Sequence, residues 1–554
     1  MFWRLNRSNR LFPLILLAIL SGCNAENGDE TLAADLPTAD LVTPTETTSP
    51  SADGTIVESS ATSAPLPALS PEERSDRTMF EAWIDLLGSN VFDGMSDDEE
   101  DDIRRRAAEA NDYWKQIKAQ NLEAIRQVNR QVIHGRSYAA SIILIVADDL
   151  GYGDLGCYGQ QKTKTPHLDA MAAEGVRFTN YYTGSPLGVP SRCSLTTGLH
   201  TGHTRLRGNK PVLPLKTEDC TIAELLWRAG YTTGLMGRWA LGDVETTGTP
   251  NRQGFEHAFG YLDHERARNY FPPMLWRNAQ QVKLPGNENG QREDYSPELT
   301  TDEALAWLNS ECDRPFFLQV NYTLPHAEIG PVPEVTQYDN EDWPTAQKQY
   351  AAMVSRLDSE VGRILEFVKT SHYRDDVLIF FTSDNGPHAD SVDPKFFQSA
   401  GPFRGGKGQL FEGDIRVPMI VWGEGLAEQN IESDCLWAAW DLLPTLADLA
   451  EAIRRPLNLD GISVLGKFHS RRLAERDYLY WELHEPTFQQ AIRAGKWKGL
   501  RTGLSGPIAL YDLENDPGES TDVAGFQAEV VERLEGLLND ARSESADWPV
   551  GSDR

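Results

Sequence analysis

Two pairs of hard oxygen donors, Asp148-Asp149 and Asp384-Asn385, each follow a run of large apolar residues. The runs are Ile142-Ile143-Leu144-Ile145-Val146 and Val377 to Phe381. Carboxylate and amide oxygens suit a hard cation, Ca²⁺ or Mg²⁺. One such pair by itself is better explained as the cap of the turn after a strand. Two pairs beyond strand ends in one sheet make a shared cation site the expectation, with Asp148, Asp149, Asp384 and Asn385 as its ligands.

The elements that must carry these residues follow from the pattern. Continuous apolar, β-branched runs are expected of strands buried on both faces of a mostly parallel sheet. Thr232 to Met236 leads into Gly237-Arg238-Trp239, and Phe316 to Val320 leads to Pro325-His326, so polar residues again follow the carboxyl ends. Helical signals lie between. Pro166 precedes Leu168, Met171 and Ala172 with Gly175 as a stop, and Thr221 and Glu224 form a capping box closed by Gly230. The apolar series from Tyr350 to Val368 keeps helical spacing over several turns. This alternation predicts an α/β domain over residues 139–470, a mostly parallel sheet sandwiched by helices. Over 471–554 the texture changes. Tyr478 to Leu483, Gln490 to Arg493 and Ala509 to Leu513 alternate like antiparallel strands, and Val530, Leu534 and Leu538 mark a helix. A smaller C-terminal antiparallel sheet with a helix is expected there.

The first 138 residues read differently. Arg4, Arg7 and Arg10 precede the apolar stretch Leu11 to Leu20, which runs into Leu20-Ser21-Gly22-Cys23. Residues 1–23 thus resemble a bacterial lipoprotein signal peptide, with cleavage before Cys23 leaving its thiol for lipid attachment. An ordinary secretory signal is the alternative. The expectation is an exported protein of the bacterial cell envelope, lipid-anchored at Cys23 rather than spanning a membrane. Residues 24–70, rich in Thr, Ser, Pro and Ala, read as a disordered tether, and 71–138 as a charged, helical accessory segment. The remaining cysteines, Cys157, Cys193, Cys220, Cys312 and Cys435, show no C-x-x-C spacing and are expected to be mostly buried thiols.

Lys and Arg total 52 against 83 Asp and Glu, for a formal charge of −31. Such a surface repels a phosphate backbone and excludes nucleic acid as a partner. An anionic ligand would need local clusters of Arg and Lys, which makes each such cluster informative.

One stretch supplies the context for such a cluster: Ser185-Pro186-Leu187-Gly188-Val189-Pro190-Ser191-Arg192-Cys193-Ser194-Leu195-Thr196-Thr197-Gly198. It lies between Ala147-Asp148-Asp149-Leu150-Gly151-Tyr152-Gly153-Asp154 and Gly401-Pro402-Phe403-Arg404-Gly405-Gly406-Lys407, and Tyr511 to Glu519 follows. Together these motifs closely resemble the sulfatase family of the alkaline phosphatase-like fold, nearest its arylsulfatase A-like members. The resemblance extends from about Ile142 to Val550. It implies Ca²⁺ as the usual ion at Asp148, Asp149, Asp384 and Asn385. It also implies that Arg192 steadies the nucleophile, that His326 lies near the leaving-group oxygen and that Lys407 reaches the sulfate. Sulfate esters or sulfated glycans are the ligands it implies.

At three positions the sequence departs from the family pattern. The motif's Cys or Ser, which is oxidised to formylglycine, is Gly188 here, so formylglycine is not expected and no covalent intermediate can form there. The family's Gly-Lys-Trp-His reads Gly237-Arg238-Trp239-Ala240, which keeps a cation at Arg238 and loses a histidine at Ala240. Cys193 lies more than a turn further along the expected helix and lacks the Pro and Arg that modification requires. Three readings share this pocket: a sulfuric ester hydrolase with attenuated or altered activity, a non-catalytic binder of sulfated glycans, and a phosphoesterase using metal-bound water.

Overall fold

In β1 (Ser141–Ala147) every residue is buried, and its side chains divide between two cores. Ile142, Leu144 and Val146 face one, and Ile143, Ile145 and Ala147 face the other. A strand with two dry faces must lie inside a sheet covered on both sides. The computed structural model describes residues 140–550 apart from 311–314, 327, 331, 334, 390–391, 453–455, 457 and 470–475. The expected signal peptide, tether and helical segment, with Cys23, and also Cys312, lie outside the described residues.

The strands that follow are β2 (Val176–Phe178), β3 (Tyr181–Tyr182), β4 (Thr232–Arg238), β5 (His257–Tyr261), β6 (Met274–Arg277) and β7 (Gln280–Lys283). Then come β8 (Phe316–Asn321), β9 (Val377–Ser383), β10 (Met419–Trp422), β11 (Ile431–Ser433) and β12 (Trp437–Ala438). The large sheet has the order β11-β2-β10-β9-β1-β8-β4-β5-β6-β7. Its centre, β9-β1-β8-β4-β5, is parallel, while β10 runs antiparallel to β9 and β6 antiparallel to β5. This is the expected mixed, mostly parallel sheet.

Helices cover both faces. Taking helices of at least seven residues in chain order, α1 is Pro166–Ala173, α2 Gly188–Thr197, α3 Ile222–Arg228 and α4 Ser296–Asn309. They are followed by α5 (Thr345–Thr370), α6 (Leu442–Leu449) and α7 (Ala528–Asp540). Apolar residues of α2, α3 and α6 join the Ile142 core, and those of α1, α4 and α5 join the Ile143 core. The Thr221 capping box forms as expected, with the Glu224 amide donating to Thr221 Oγ1 at 3.1 Å. No helix among the described residues is long and apolar enough to cross a membrane.

The C-terminal sheet consists of β13 (Leu479–Leu483), β14 (Gln489–Ala494), β15 (Trp497–Thr502) and β16 (Ala509–Asp512), antiparallel in that order. Leu534 and Leu538 of α7 pack on one face of it. Strand β15 escapes pattern reading, because Trp497-Lys498-Gly499-Leu500-Arg501-Thr502 does not alternate. Its Lys498 is fully buried and bonded to Glu412 at 3.0 Å and Glu519 at 2.9 Å, so charge pairing replaces apolarity at that position. Strand β4 also departs from expectation by running on through Gly237 and Arg238. Gly237 takes φ = 99°, and a Cβ there would come within 2.0 Å of Asn321 O. A side chain would break the β4–β8 pairing. Cys193 and Cys435 are buried, and Cys157 and Cys220 are half-buried.

The C-terminal sheet is joined to the segment after α2 by a buried ion cluster. Glu482 of β13 accepts from Arg207 Nη1 at 2.8 Å, from Tyr480 OH at 2.9 Å and from Arg542 Nε at 3.1 Å, and its Oε1 lies 2.9 Å from His484 Nε2. Burial pushes this carboxyl up, but the His484 hydrogen bond and the charges of Arg207 and Arg542 outweigh it and hold the pKa at about 2. The stabilisation is therefore complete above the ordinary value of 4.5 and is lost as pH falls from there toward 2. Glu482→Gln strands the buried Arg207 charge and should cost about 3–5 kcal/mol at neutral pH. Denaturant unfolding between pH 7 and pH 2 should show this loss, and a shallower acid dependence in the variant than in the wild type.

Candidate active site

The register of β1 on β9 pairs Ala147 with Ser383, so the next residues, Asp148 and Asp384, leave the sheet side by side. The Asp384 amide donates to Ala147 O at 3.0 Å, and the Asp149 amide donates to Asp384 Oδ1 at 3.2 Å. Asp149 takes φ = 66°, a left-handed conformation that a non-glycine residue adopts only where its surroundings enforce it. Asn385 completes the group by donating from Nδ2 to Asp149 Oδ1 at 2.6 Å. All four side chains are buried.

Three cations arrive from three different elements. Arg192, one turn into α2, places Nη2 2.9 Å from Asp384 Oδ2 and 3.3 Å from Asp148 Oδ2. Arg238, the last residue of β4, pairs with Asp148 through Nη1 and lies 3.2 Å from His264 Nδ1 through Nη2. Lys407, on the loop after β9, donates to Asp149 Oδ1 at 2.6 Å. His326, in the loop after β8, sits with Nε2 3.8 Å from Asp149 Oδ2. The structure thus brings Asp148, Asp149, Asp384, Asn385, Arg192, Arg238, His326 and Lys407 together.

The charges set one another's ionisation. Burial raises the Asp148 pKa, but Arg238, His326, Arg192 and Lys407 overcome this and hold it well below the usual carboxylate range. Asp149 is lowered as well, with Lys407 the leading charge against the effect of burial. Asp384 goes the other way, to about 6, through burial and the neighbouring charge of Asp148. Burial lowers His326 to about 4, leaving a neutral imidazole at pH 7.

Gly188 opens α2 after the extended Leu187, and its place is defined by what a side chain would meet. A Cβ built there lies 3.2 Å from Asp384 Oδ2 and 3.4 Å from Arg238 Nη2. The position points into the carboxylate cluster and presents no reactive atom. Neighbouring nucleophiles do not replace it. Cys193 is fully buried in the apolar core and its thiol is pushed up to about 12. Ser191 Oγ is bonded to Thr183 Oγ1 at 2.5 Å, and Ser185 Oγ accepts from the Leu187 amide at 3.3 Å.

The donor set fits a hard cation. Asp148 Oδ1, Asp149 Oδ2 and Asn385 Oδ1 are buried and lack hydrogen-bond partners, while Asp384 Oδ2 is engaged by the ion pair with Arg192 Nη2 at 2.9 Å. Ligand atoms of Asp148, Asp149 and His326 lie within 4.8 Å of one another. Buried oxygens without partners are costly, and a divalent ion would satisfy several at once.

Sequence reading missed His264, Asn209 and His388. Asn209 Oδ1 accepts from the Val189 amide at 3.3 Å and so caps the start of α2 beside Gly188. His264 follows the carboxyl end of β5, the same edge that holds the other site residues, which is the signal that could have found it.

The chain matches the model of the Sulfatase family over residues 140–452. It is 30% identical to human Arylsulfatase A over 459 residues, covering 72% of this chain and 86% of that protein. It is 28% identical over 491 residues to N-acetylgalactosamine-6-O-sulfatase of Bacteroides thetaiotaomicron, covering 74% and 94%. The crystal structure of Ps i-CgsB in complex with k-i-k-neocarrahexaose is similar with a TM-score of 0.65 at 28% identity, covering 74% of this chain and 94% of that one. Likeness of this extent, in sequence and in fold together, is membership: this chain belongs to the sulfatase family and has its alkaline phosphatase-like fold.

Proposed function

We propose that this protein binds sulfate esters of glycans through a Ca²⁺-loaded pocket and scarcely hydrolyses them. The observation that carries the proposal is Gly188, at the head of α2 and aimed at Asp384 and Arg238 with no atom that could attack sulfur. The relatives named above support the ligand class, since one is an N-acetylgalactosamine-6-O-sulfatase and another is in complex with k-i-k-neocarrahexaose.

The charge balance supports binding. Asp148, Asp149 and Asp384 are offset by Arg192, Arg238 and Lys407, so the cluster is close to neutral by itself. A divalent ion held by Asp148, Asp149, Asp384 and Asn385 would supply the net positive charge that a sulfate monoanion needs. Lys407 is the cation of the three with appreciable exposure, 22% against 3% for each arginine, and meets the ligand first. Arg238 is engaged at both ends and serves to neutralise Asp148. His326, neutral and beside Asp149, is placed to donate toward the ester oxygen without adding charge.

We further propose that the chain is exported and lipid-anchored at Cys23, on the strength of the Leu20-Ser21-Gly22-Cys23 motif. Cys23→Ser should then shift the protein from the membrane fraction to the soluble fraction. Unchanged partition would refute the anchor.

Removal of a covalent nucleophile costs on the order of 10⁶ in rate where it has been measured in a serine protease. Wild type should therefore bind a chromogenic aryl sulfate with turnover depressed on that order. Gly188→Cys restores Cys-Val-Pro-Ser-Arg and needs its neighbours to yield by a few tenths of an ångström, since the Cβ contacts are 3.2 and 3.4 Å to side-chain ends. Coexpressed with the modifying enzyme, it should recover part of the activity, limited by Arg238. Wild-type turnover equal to that of the matured variant would overturn the proposal.

Cation binding has a separate readout. Ca²⁺ at a hundredfold excess over its Kd should stabilise the wild type by about 2.7 kcal/mol. EDTA should reverse this and abolish sulfate binding as well, while Asp384→Asn should remove the Ca²⁺-dependent shift. Melting curves and calorimetry check all three, and sulfate binding that survives EDTA would show that the protein cations suffice.

A further inference from the structure

His388 is a buried histidine for which the reading above has no use. It is 4% exposed, and neither Nδ1 nor Nε2 has a hydrogen-bond partner among the described residues. Other imidazoles of the protein are paired: His264 with Arg238, His203 with Asp460, His257 with Glu303 and His484 with Glu482. A buried ring nitrogen that makes no hydrogen bond loses what water would have given it, so two on one ring call for a partner.

Its place in the site is specific. His388 follows Asn385 by three residues, and the intervening backbone is tied to the site. The Gly386 amide donates to Asp414 O at 2.7 Å, and the Lys407 amide donates to Pro387 O at 3.0 Å. On its other side the ring faces His326, with centroids 6.5 Å apart and planes inclined by 44°. His326 Nδ1 is also buried without a partner. Two hydrogen bonds of about 2.8 Å converging on one oxygen at a roughly tetrahedral angle hold two imidazole centroids about 6.5 Å apart. A metal ion, whose bonds to histidine are near 2.0–2.1 Å, would need the rings about 1 Å closer. The spacing matches an oxygen held at a tetrahedral angle between the two rings.

We infer that His388, together with His326, grips a hydroxyl of the sugar that carries the sulfate. This rests on the sulfate-ester reading and names the half of the ligand that the cations do not. A hydroxyl both donates and accepts, so it can pair with a ring nitrogen in either role. The sulfate group has acceptors alone and is matched by Lys407 and the cation site. His388 is thus a recognition residue, with no part in moving the sulfuryl group.

The test uses calorimetry on Ca²⁺-loaded full-length protein with three probes: inorganic sulfate, 4-nitrophenyl sulfate and galactose 6-sulfate. His388→Phe removes both nitrogens and keeps the ring volume, and His388→Gln keeps a donor and an acceptor. For His388→Phe, galactose 6-sulfate should bind about tenfold more weakly while the other two probes change less than twofold, and His388→Gln should recover part of the loss. Equal weakening of all three probes would make His388 a support for the Lys407 loop and overturn the inference. Unchanged binding of galactose 6-sulfate would do the same, leaving the ring to a buried water. Failure of the wild type to bind inorganic sulfate or either ester would overturn the parent reading and this one with it. Melting temperatures within a few degrees of wild type would establish that the variants are folded.

Discussion

Three carboxyl groups, Asp148, Asp149 and Asp384, occupy a volume from which water is excluded, and the rest of the site exists to make that tolerable. A buried carboxylate without compensation costs several kcal/mol, and like charges in contact make each worse. Compensation has to come from elements distant in sequence, because the ends of β1 and β9 carry no cation of their own. α2 sends Arg192, β4 sends Arg238, and the loop after β9 sends Lys407. The parallel register of β1, β8, β9 and β4 brings these sources to one sheet edge. The left-handed turn at Asp149 is sustained by the same bonds.

Charge balance also explains how the position of Gly188 can be empty without the site collapsing. No ion pair of the cluster passes through residue 188, so removing a nucleophile there leaves every carboxylate with its partners. Arg238 strengthens this independence. Where the family motif has Lys, a guanidinium reaches Asp148 and His264 together, and desolvation of so broad a cation costs less than that of an ammonium. The exchange trades a mobile point charge for a fixed brace. On the function proposed above, such a pocket holds an anion in place rather than following charge as it moves during transfer.

What could be read from the sequence was whatever a short range of residues determines. The apolar runs of β1, β8 and β9 announce themselves because both faces are dry, and the capping box of α3 is complete within four residues. The motif from Ser185 to Gly198 gave the helix α2 and its arginine. Long-range compensation was not legible. Nothing around Lys498 signals a fully buried lysine, since the carboxylates that make it possible, Glu412 and Glu519, lie on other segments. β4 runs two residues beyond its apolar pattern, because Gly237 lets the strand pass Asn321 O. The surroundings of His388 are created by the fold, and no neighbouring residue in the sequence marks it.

The C-terminal sheet and the turn beyond it reach the site through the loop that carries Lys407. Glu519 lies in the Tyr511 to Glu519 motif, just after β16, and its backbone oxygen accepts from Arg404 Nη1 at 2.9 Å. Its carboxylate accepts from the Glu412 amide at 2.6 Å and pairs with Lys498. Arg404 and Glu412 bracket Lys407, and the Gly413 amide closes the loop on Arg404 O at 2.7 Å. Glu412 is itself held near 2 against the pull of burial by Lys498, Arg493 and Arg416, two of which belong to the C-terminal sheet. The loop that presents Lys407 is therefore held at both ends by groups supplied from β14, β15 and the turn beyond β16. An ammonium on a four-carbon stem gains little from attraction to a ligand if its backbone wanders. Fixing that backbone requires a second sheet, which gives a physical reason for the subdomain to accompany the pocket.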